Sequence, residues 1–458
     1  MTMTTQNNTK PDPHLIKKVI TILKHYAVPA LIITMLFGTT AMAQDRTITL
    51  DEAVKLGIQN SKVLKLSKSK IDEAISQYEQ AKDRSLPTAS ASFGYDRAEI
   101  PANTIKFGSE SIGLPKNDNA WLGTVSASET ILGAHKLKYA RESTELLSQV
   151  SRLDADNDKD QITYDVIDSY YNLYKVLQSK KVVAQNLESI DAQIKQSQRF
   201  FDQGLVTKND VLRFQLQRSN IELNGIDLET NRKIIVYNLD IMLGLPESTN
   251  LTIDVIADAN RQLAPLTNYI DTAMMNRIEL KQYDLRTRVA ETNIKDVKAD
   301  EMPTLAASAQ AYYVGIAADP LPKDGTYITP IVFGLNLSWK FSTLWTNKNK
   351  VTQAKIQREE VIETKNITVD NVKKEVNRDY QNYEQALDKI KLLQVSIDQA
   401  GENNKILESK YKSNIASATD RVDAETLLYQ AEINLELAKA DAGLAYYTLL
   451  KSTGKLNK

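Results

Sequence analysis

The stretch FFDQGLVTKNDVL, residues 200–212, interrupts a long run, 142–243, that otherwise has the apolar spacing of a helix. Gly204 can adopt the left-handed backbone conformation that closes a helix. Thr207, followed three residues later by Asp210, forms a capping-box pattern that begins a new helix. The stretch therefore predicts a tight turn between two long antiparallel helices.

The same turn recurs at residues 410–422, KYKSNIASATDRV. Asn414 replaces the glycine, and asparagine is the next residue that tolerates the left-handed conformation. Ser417 and Asp420 repeat the capping pattern. The same shift of 210 positions relates Tyr170 to Tyr380 and Gly244 to Gly454. We predict two copies of one plan, at 44–244 and 266–454, joined by a linker, 245–265, and followed by a tail, 455–458.

The first 43 residues have a different character. Lys17, Lys18 and Lys24 precede an apolar stretch that ends at Phe37, and Ala41-Met42-Ala43 follows. This pattern predicts a secretory signal peptide over 1–43. The chain has no cysteine and a formal net charge of −1. It therefore fits a bacterial envelope protein without disulfides, and no basic patch indicates nucleic-acid binding.

Four segments alternate between apolar and polar residues with the period of a β-strand. We predict strands over about 88–96, 120–131, 304–314 and 331–341. In the last of these, Ile331, Phe333, Leu335, Leu337, Trp339 and Phe341 share one face, and Gly334, Asn336, Ser338 and Lys340 share the other. Such a strand fits either a half-buried sheet or a strand between lipid and water. Export, strand length and aromatic residues near the strand ends favour lipid.

Four strands cannot close a membrane barrel, because the smallest single-chain barrels use about eight. An open sheet edge is also excluded from lipid. We therefore expect a barrel shared between chains, and three chains of four strands would supply twelve. After each second strand comes a run of roughly 60 residues without proline, which as a helix would extend roughly 90 Å. These helices must project as a bundle or tube.

The chain resembles the TolC family of outer-membrane efflux proteins. The resemblance covers almost all of the mature chain: a signal, a helix, two strands and a long helical hairpin, with this order repeated once. The tips match the family's pattern in Gln203-Gly204-Leu205 and in the stretch from Tyr411 to Ile415. The resemblance implies a homotrimer of mixed α/β structure, with a 12-stranded outer-membrane β-barrel in lipid and a periplasmic α-helical coiled-coil barrel.

The resemblance also implies a function and its residues. The chain would be the outer-membrane exit duct of a tripartite efflux pump or type I secretion system, fed by an inner-membrane transporter of the RND, ABC or MFS type. A periplasmic adaptor would dock on the tips. The implied docking residues are Gly204, Leu205, Val206, Thr207, Asn414, Ile415, Ala416 and Ser417.

A gate at the tips is implied as well. In the family a tyrosine matching Tyr411 bonds to the aspartate matching Asp210, and Asp420 and Asp423 match pore aspartates. Three chains would place six such carboxylates in a cation-selective ring. Asp210 and Asp420 are equally explained as capping acids. Two residues depart from the family's pattern. Asn414 replaces glycine, so that adaptor contact at the second tip is expected to differ, and Ala416 replaces a basic residue found in some members, so that the gate link to the neighbouring hairpin is expected to be absent.

Candidates for catalysis are poor. The only histidine outside the predicted signal is His135, at a junction between strand and helix. The acidic run 154–160 lacks the turn glycine of a calcium loop, and STGK, 452–455, lacks the first glycine of a phosphate loop. We expect no enzyme activity, cofactor or metal. The alternative is a non-conducting, structural trimeric coiled-coil protein of the envelope, against which the polar strand faces argue.

Overall fold

The computed structural model describes residues 45–99, 104–113, 117–133, 135–247, 249–254, 263–318 and 327–457. The predicted signal peptide lies outside the described residues. The helices are α1 (Leu50–Asn60), α2 (Lys62–Asp83), α3 (Lys136–Asp202), α4 (Lys208–Leu243), α5 (Leu266–Asn276), α6 (Ile278–Ala299), α7 (Thr343–Thr346), α8 (Lys348–Lys412) and α9 (Ala418–Ser452). The strands are β1 (Asp45–Ile48), β2 (Thr88–Glu99), β3 (Thr104–Phe107), β4 (Glu110–Gly113), β5 (Asn117–Leu132), β6 (Asn250–Ile253), β7 (Thr304–Ala318), β8 (Tyr327–Ile328) and β9 (Ile331–Ser338).

The helix predicted at the start of each half is two helices in the structure. In the first half the break falls at Ser61, whose hydroxyl accepts a hydrogen bond of 3.2 Å from the Leu64 amide and so caps α2. In the second half the break falls at Arg277, whose backbone is extended. A serine can start a helix as readily as it can sit within one, so helical spacing alone did not reveal the break.

The main sheet is antiparallel, with strand order β2–β5–β7–β9, and the short strand β8 also pairs with β7. β2 and β9 are thus the outer strands. β9 ends at Ser338, although the apolar alternation continues to Phe341. The Thr343 amide and hydroxyl both donate to the Lys340 carbonyl, which turns the chain into α7 and ends the strand.

The long helices lie side by side in the order α4–α3–α9–α8, with α2 packed on α3 and α6 packed between α3 and α8. Among the described residues, no helix combines the length and apolar character that a membrane crossing requires. Ion pairs of arginine and lysine side chains tie the helices together, among them Arg218 of α4 with Asp191 of α3 and Lys365 of α8 with Asp284 of α6. Further pairs are Lys136 with Asp300, Lys175 with Asp441, Lys180 with Glu229 and Arg277 with Glu375.

A middle layer surrounds the helices between the sheet and the tips. We define it by α1, α5 and the parallel β1–β6 ribbon. Its first core contains the fully buried Leu173, Leu239 and Leu243. The Tyr170 hydroxyl donates to the Ile48 carbonyl at 3.1 Å, and burial raises the pKa of Tyr170 to about 12. The ribbon and α1 are thereby fastened to α3.

The acidic run 154–160 joins three parts of the chain. Asp158 accepts a hydrogen bond of 2.6 Å from Ser67 in α2, and Asp154 accepts one of 2.7 Å from Gln282 in α6. Asp160 accepts one of 2.6 Å from Asn457 in the tail. The run lies within α3 and acts as a set of acceptors for neighbouring elements.

Candidate functional site: the hairpin tips and the sheet faces

The first tip closes α3 and opens α4 within a few residues. Gly204 has a φ of 71°, and the amide of Leu205 donates to the Phe200 carbonyl at 2.9 Å. The Asp210 carboxylate then accepts from both the amide and the hydroxyl of Thr207, at 2.8 and 2.7 Å. The predicted left-handed cap and capping box are both confirmed.

The second tip has the same geometry with different residues. Asn414 has a φ of 56°, and the amide of Ile415 donates to the Lys410 carbonyl at 2.8 Å. The Asp420 carboxylate accepts from the Ser417 amide and hydroxyl, at 3.0 and 2.8 Å. The hydrogen bond from the Ser417 hydroxyl, followed by that from its amide, lowers the pKa of Asp420. Asparagine thus serves in place of glycine at this turn.

The two tips lie side by side, and Tyr411 joins them. Its ring is buried between Phe200 at the end of α3 and Phe214 near the start of α4, with ring centroids 5.9 and 5.7 Å away. A hydrogen bond of 3.0 Å from Gln217 to Thr426 links α4 to α9 one to two turns further on. The turns of both halves are therefore held at one end of the helical layer.

The hydrogen bond between Tyr411 and Asp210, which the resemblance implies, is not made in this chain. The Asp210 carboxylate is turned toward Thr207, where it caps α4. The Tyr411 hydroxyl faces the buried Ser197 side chain, and burial raises the pKa of Tyr411. The reason is the aromatic environment of the ring, which draws Tyr411 into the core between the hairpins and away from the turn.

The structure reveals a buried polar cluster that the sequence analysis missed. Arg421 and Glu425, each about one-twentieth exposed at the side chain, form an ion pair of 2.8 Å on α9. Gln193 of α3 donates to the same Glu425 carboxylate, and Arg421 donates to Asn404 of α8. The spacing of four residues could have suggested an ion pair, but only packing shows that it is buried. The cluster connects three helices just behind the tips.

The remaining tip residues are mostly exposed. Leu205 is 52% exposed and Ile415 is 76% exposed. Gly204, Thr207, Asn414 and Ser417 are also exposed, and Val206 and Ala416 are half-buried. Asp420 and Asp423 are exposed in the first turns of α9, and Asp210 is half-buried. The tip thus offers an apolar end surface with acidic residues beside it.

The sheet has one apolar face. Its register places Phe93 opposite Gly123, Gly123 opposite Tyr313, and Ala309 opposite Phe333. Across the four strands this face consists of Ala89, Ala91, Phe93, Tyr95, Trp121, Gly123, Val125, Ala127, Leu305, Ala307, Ala309, Ala311, Tyr313, Ile331, Phe333, Leu335 and Leu337.

Polar residues limit this apolar band at both ends. Arg97 and Asn119 lie beyond it at the end far from the helices, and Glu129 lies at the near end. Aromatic rings lie at both limits. Tyr95 and Trp121 are 5.4 Å apart at the far end, Tyr313 and Tyr327 are 5.3 Å apart there, and Trp339 and Phe341 are 6.4 Å apart at the near end.

Hydroxyl and amide side chains dominate the opposite face. Thr88 and Ser128 hydroxyls are 2.9 Å apart, as are those of Ser90 and Ser126. The polar members of this face are Thr88, Ser90, Ser92, Thr124, Ser126, Ser128, Ser308, Gln310, Tyr312, Asn336 and Ser338. One sheet therefore has an apolar and a hydrogen-bonding surface back to back.

Three sequence features resemble catalytic or ligand-binding motifs: the acidic run 154–160, His135 and the STGK segment. None of them forms such a site in the structure. His135 is exposed at the start of α3, with its ring 6.3 Å from that of Tyr139. Gly454 of the STGK segment ends α9 in the left-handed conformation, against the backbone of Asn276. Among the described residues no group of histidine and acidic side chains could hold a metal ion.

Comparisons with known proteins agree with this geometry. The model of a family described as outer membrane efflux protein matches residues 54–245 and 269–455. The outer membrane efflux protein BepC of Brucella suis biovar 1 (strain 1330) is 21% identical over 434 residues, which cover 92% of this chain and 88% of BepC.

Two solved structures have the same fold. CusC superposes with a TM-score of 0.74 at 13% identity, over 88% of this chain and 92% of CusC. The outer membrane protein VceC of Vibrio cholerae superposes with a TM-score of 0.73 at 14% identity, over 88% of this chain and 96% of VceC. At these identities the likeness shows the fold.

Proposed function

Since this chain belongs to the outer membrane efflux protein family, we propose that it is the exit duct of a tripartite efflux pump or type I secretion system. It resides in the outer membrane, with its helices in the periplasm. It receives cargo from an inner-membrane transporter through a periplasmic adaptor. Its proposed work is passage, in keeping with the family to which the chain belongs.

The observation that carries this proposal is the two-faced sheet. Its apolar face suits lipid, and the aromatic rings at both limits suit the two membrane interfaces. Its other face, with hydroxyl and amide groups exposed, suits a water-filled interior. A purely structural protein of the envelope would have no need of a second, hydrogen-bonding face.

A trimer would complete the barrel. Among the described residues, β2 and β9 each have one edge without a partner strand, and such edges cannot face lipid. A closed ring of three chains would pair each β9 with a neighbouring β2 and supply twelve strands. The helical layers would close in the same way into a tube of twelve long helices.

The tips would carry docking and gating. Leu205 and Ile415 expose apolar surface at the end of the tube, where an adaptor could bury it. Asp420 and Asp423 are exposed beside that surface and would form a ring of six carboxylates in a trimer. Such a ring favours cations over anions. Tyr411 would hold the two hairpins together through its buried ring.

Conductance in planar bilayers tests the duct. The purified protein should form channels with a preference for cations, and D420N/D423N should reduce that preference. Asp83 lies at the end of α2, outside the tips, so D83N is a matched control that should leave the preference unchanged. If the protein inserts into the bilayer but neither the wild type nor D420A/D423A conducts ions, the proposed duct is rejected. That result would favour the alternative of a non-conducting structural protein.

Docking needs a separate test. L205E/I415E places charges on the exposed tip without touching a buried residue. We expect channels of normal conductance in bilayers but no restoration of efflux in a deletion strain. Efflux that is fully restored by this variant would contradict docking at the tips.

A further inference from the structure

We propose that the hydroxyl and amide face of the sheet binds lipophilic cations at its far end. The binding surface is an aliphatic collar, formed by Leu122, Val314 and Ile328, with the carboxylate of Asp96 beside it. The inference rests on the proposed duct, whose water-filled interior this face would line. It adds the chemical class of cargo that the mouth of the duct favours, which is a molecule with an apolar body and a positive charge.

The collar is one row of residues across the sheet. Leu122 of β5 pairs with Gly94 of β2 on one side and with Val314 of β7 on the other. Val314 in turn pairs with Ile328 of β8. The pairs that β8 and β9 make with β7 keep one register, so the two strands continue each other. The row therefore crosses the whole sheet without a polar side chain.

Alternation along the strands decides which face carries this row. The residues that precede Val314 and Ile328 in the chain are tyrosines, and their rings stack 5.3 Å apart on the apolar face. Successive side chains of a strand point to opposite sides of the sheet. Val314 and Ile328 therefore belong to the hydroxyl and amide face, and Leu122 shares it as their partner in the row.

The rows of the same face that lie nearer the helices have a different composition. Leu122 is 48% exposed and Ile328 is 62% exposed, so much of the aliphatic surface of the collar is open within one chain. The nearer rows offer hydroxyl or amide groups to water instead. These rows consist of Ser92, Thr124 and Tyr312, then Ser90, Ser126 and Gln310, and then Thr88, Ser128 and Ser308.

The side chains of a twelve-stranded barrel cannot fill its interior. About eight strands already give an interior that side chains just fill, and wider barrels leave a channel. In the proposed trimer, three collars would face water around one opening, next to the aromatic rings of the far end. Exposed apolar patches mark binding surfaces, and the molecules that pass this opening are cargo.

An acidic residue beside the collar sets the charge of the ligand. Asp96 lies two positions beyond Gly94 on β2, so its side chain is on the face that carries the collar, and it is exposed. It is the diagonal neighbour of Leu122, at a Cα separation of about 7–8 Å. The nearer rows contain only uncharged residues. A carboxylate next to an aliphatic surface favours a ligand that is both apolar and positively charged.

Block of the current by two cations of equal charge tests the collar. Tetrabutylammonium has a larger apolar body than tetramethylammonium, so it should block the wild type in planar bilayers at a several-fold lower concentration. L122N/V314T changes the size of both side chains little but makes them polar, and should bring the two blocking concentrations together. V125T makes the same kind of exchange on the apolar face and should leave their ratio unchanged.

Further variants separate charge from apolar contact. D96N should weaken the block by both cations, and D420N/D423N should leave the ratio of their blocking concentrations unchanged. I328T is a second way to make the collar polar and should lower that ratio even where L122N/V314T fails to fold. A wild-type ratio near one would overturn the proposal. So would a several-fold ratio that the folded collar variants retain.

Cysteine protection tests the same surface without a current. The chain has no cysteine of its own, so L122C introduces a single thiol. In proteoliposomes a water-soluble maleimide should label this thiol, and tetrabutylammonium but not tetramethylammonium should slow the labelling several-fold. S90C is the matched control in the hydroxyl rows and should be labelled at the same rate with either cation. Equal slowing of L122C and S90C would mean simple obstruction and would overturn the proposal.

The outcomes separate the collar from the duct. A protein that conducts but shows neither selective block nor selective protection would overturn the collar and leave the duct standing. A protein that does not conduct, but whose L122C thiol is selectively protected, would support the collar and reject the duct. If L122C is not labelled even without a cation, another segment of the protein fills the collar, and the proposal is overturned.

Discussion

The middle layer and the tips hold the same helices together by different means. In the middle layer the buried contacts are made by Leu173, Leu239, Leu243 and their apolar neighbours. Behind the tips, the buried contacts include the ion pair of Arg421 with Glu425 and its amide partners. Both regions belong to one continuous set of helices, so their difference is one of composition and not of secondary structure.

The two kinds of contact differ in how they contribute to stability. Apolar contacts are not directional, and burying them favours one compact arrangement over solvent exposure. A buried ion pair contributes little net stability, because desolvation offsets attraction, but losing one partner is costly. The core of the middle layer therefore holds the helices through apolar contacts, and the tip region combines its own apolar core with a few specific polar contacts.

The largest effect is expected from breaking the tip cluster. E425A leaves the Arg421 charge buried without its partner, which should cost about 3–5 kcal/mol in the free energy of unfolding. Denaturant unfolding followed by helical circular dichroism measures it. R421M/E425L replaces both charges by apolar groups and should come within about 1 kcal/mol of wild type. If both variants lose the same stability, the cluster does not act as an ion pair.

A cavity in the middle layer is expected to have the next largest effect. L173A removes a side chain with no exposed surface and should cost about 2–5 kcal/mol. Leu427 on α9 is 58% exposed, so L427A serves as the matched control and should cost far less. Equal losses from the two variants would contradict the view that the middle layer is the anchor.

One residue of the middle layer departs from its apolar character. Asp240 of α4 is fully buried, and neither of its carboxylate oxygens has a hydrogen-bond partner among the described residues. Burial raises the pKa of Asp240 from 3.8 to about 6. The second half of the chain has Leu450 at the equivalent position.

The raised pKa of Asp240 determines whether its carboxyl group stabilises or destabilises the folded protein at a given pH. The folded protein keeps the Asp240 proton up to about pH 6, whereas the unfolded chain releases it near pH 4, so the carboxyl costs stability increasingly as the pH rises between these values. D240L should therefore stabilise the protein by on the order of 2 kcal/mol at pH 7 and by much less below pH 4. D240N keeps the shape and removes the charge, and should show the same loss of pH dependence. A gain independent of pH would assign the effect to packing alone.

The smallest effect is expected at the first turn. G204A forces a residue with a β-carbon into a φ of 71° and should cost about 1–2 kcal/mol. G204N copies the second tip, where Asn414 takes the same conformation, and should cost less than G204A. The midpoint of thermal unfolding measures both. No difference between the two would mean that the turn does not constrain the backbone.

Local sequence patterns predicted much of the candidate site. The left-handed turns at Gly204 and Asn414, and the capping acids Asp210 and Asp420, depend on residues within four positions of one another, and the structure has them as predicted. The two faces of each strand could be predicted for the same reason, since alternation along one strand decides which residues share a face. How the faces of the four strands combine into one surface depends on the strand register, which only the structure gives.

By itself, the sequence determined what short-range chemistry decides: the repeat, the tight turns, the two-faced strands and the absence of cysteine. Tertiary structure alone decided what depends on distant residues meeting. It placed the Tyr411 ring between Phe200 and Phe214 and directed its hydroxyl toward Ser197 rather than Asp210. It also buried Arg421 with Glu425. The physical reason is that burial belongs to a pair of surfaces, and a sequence pattern describes only one of them.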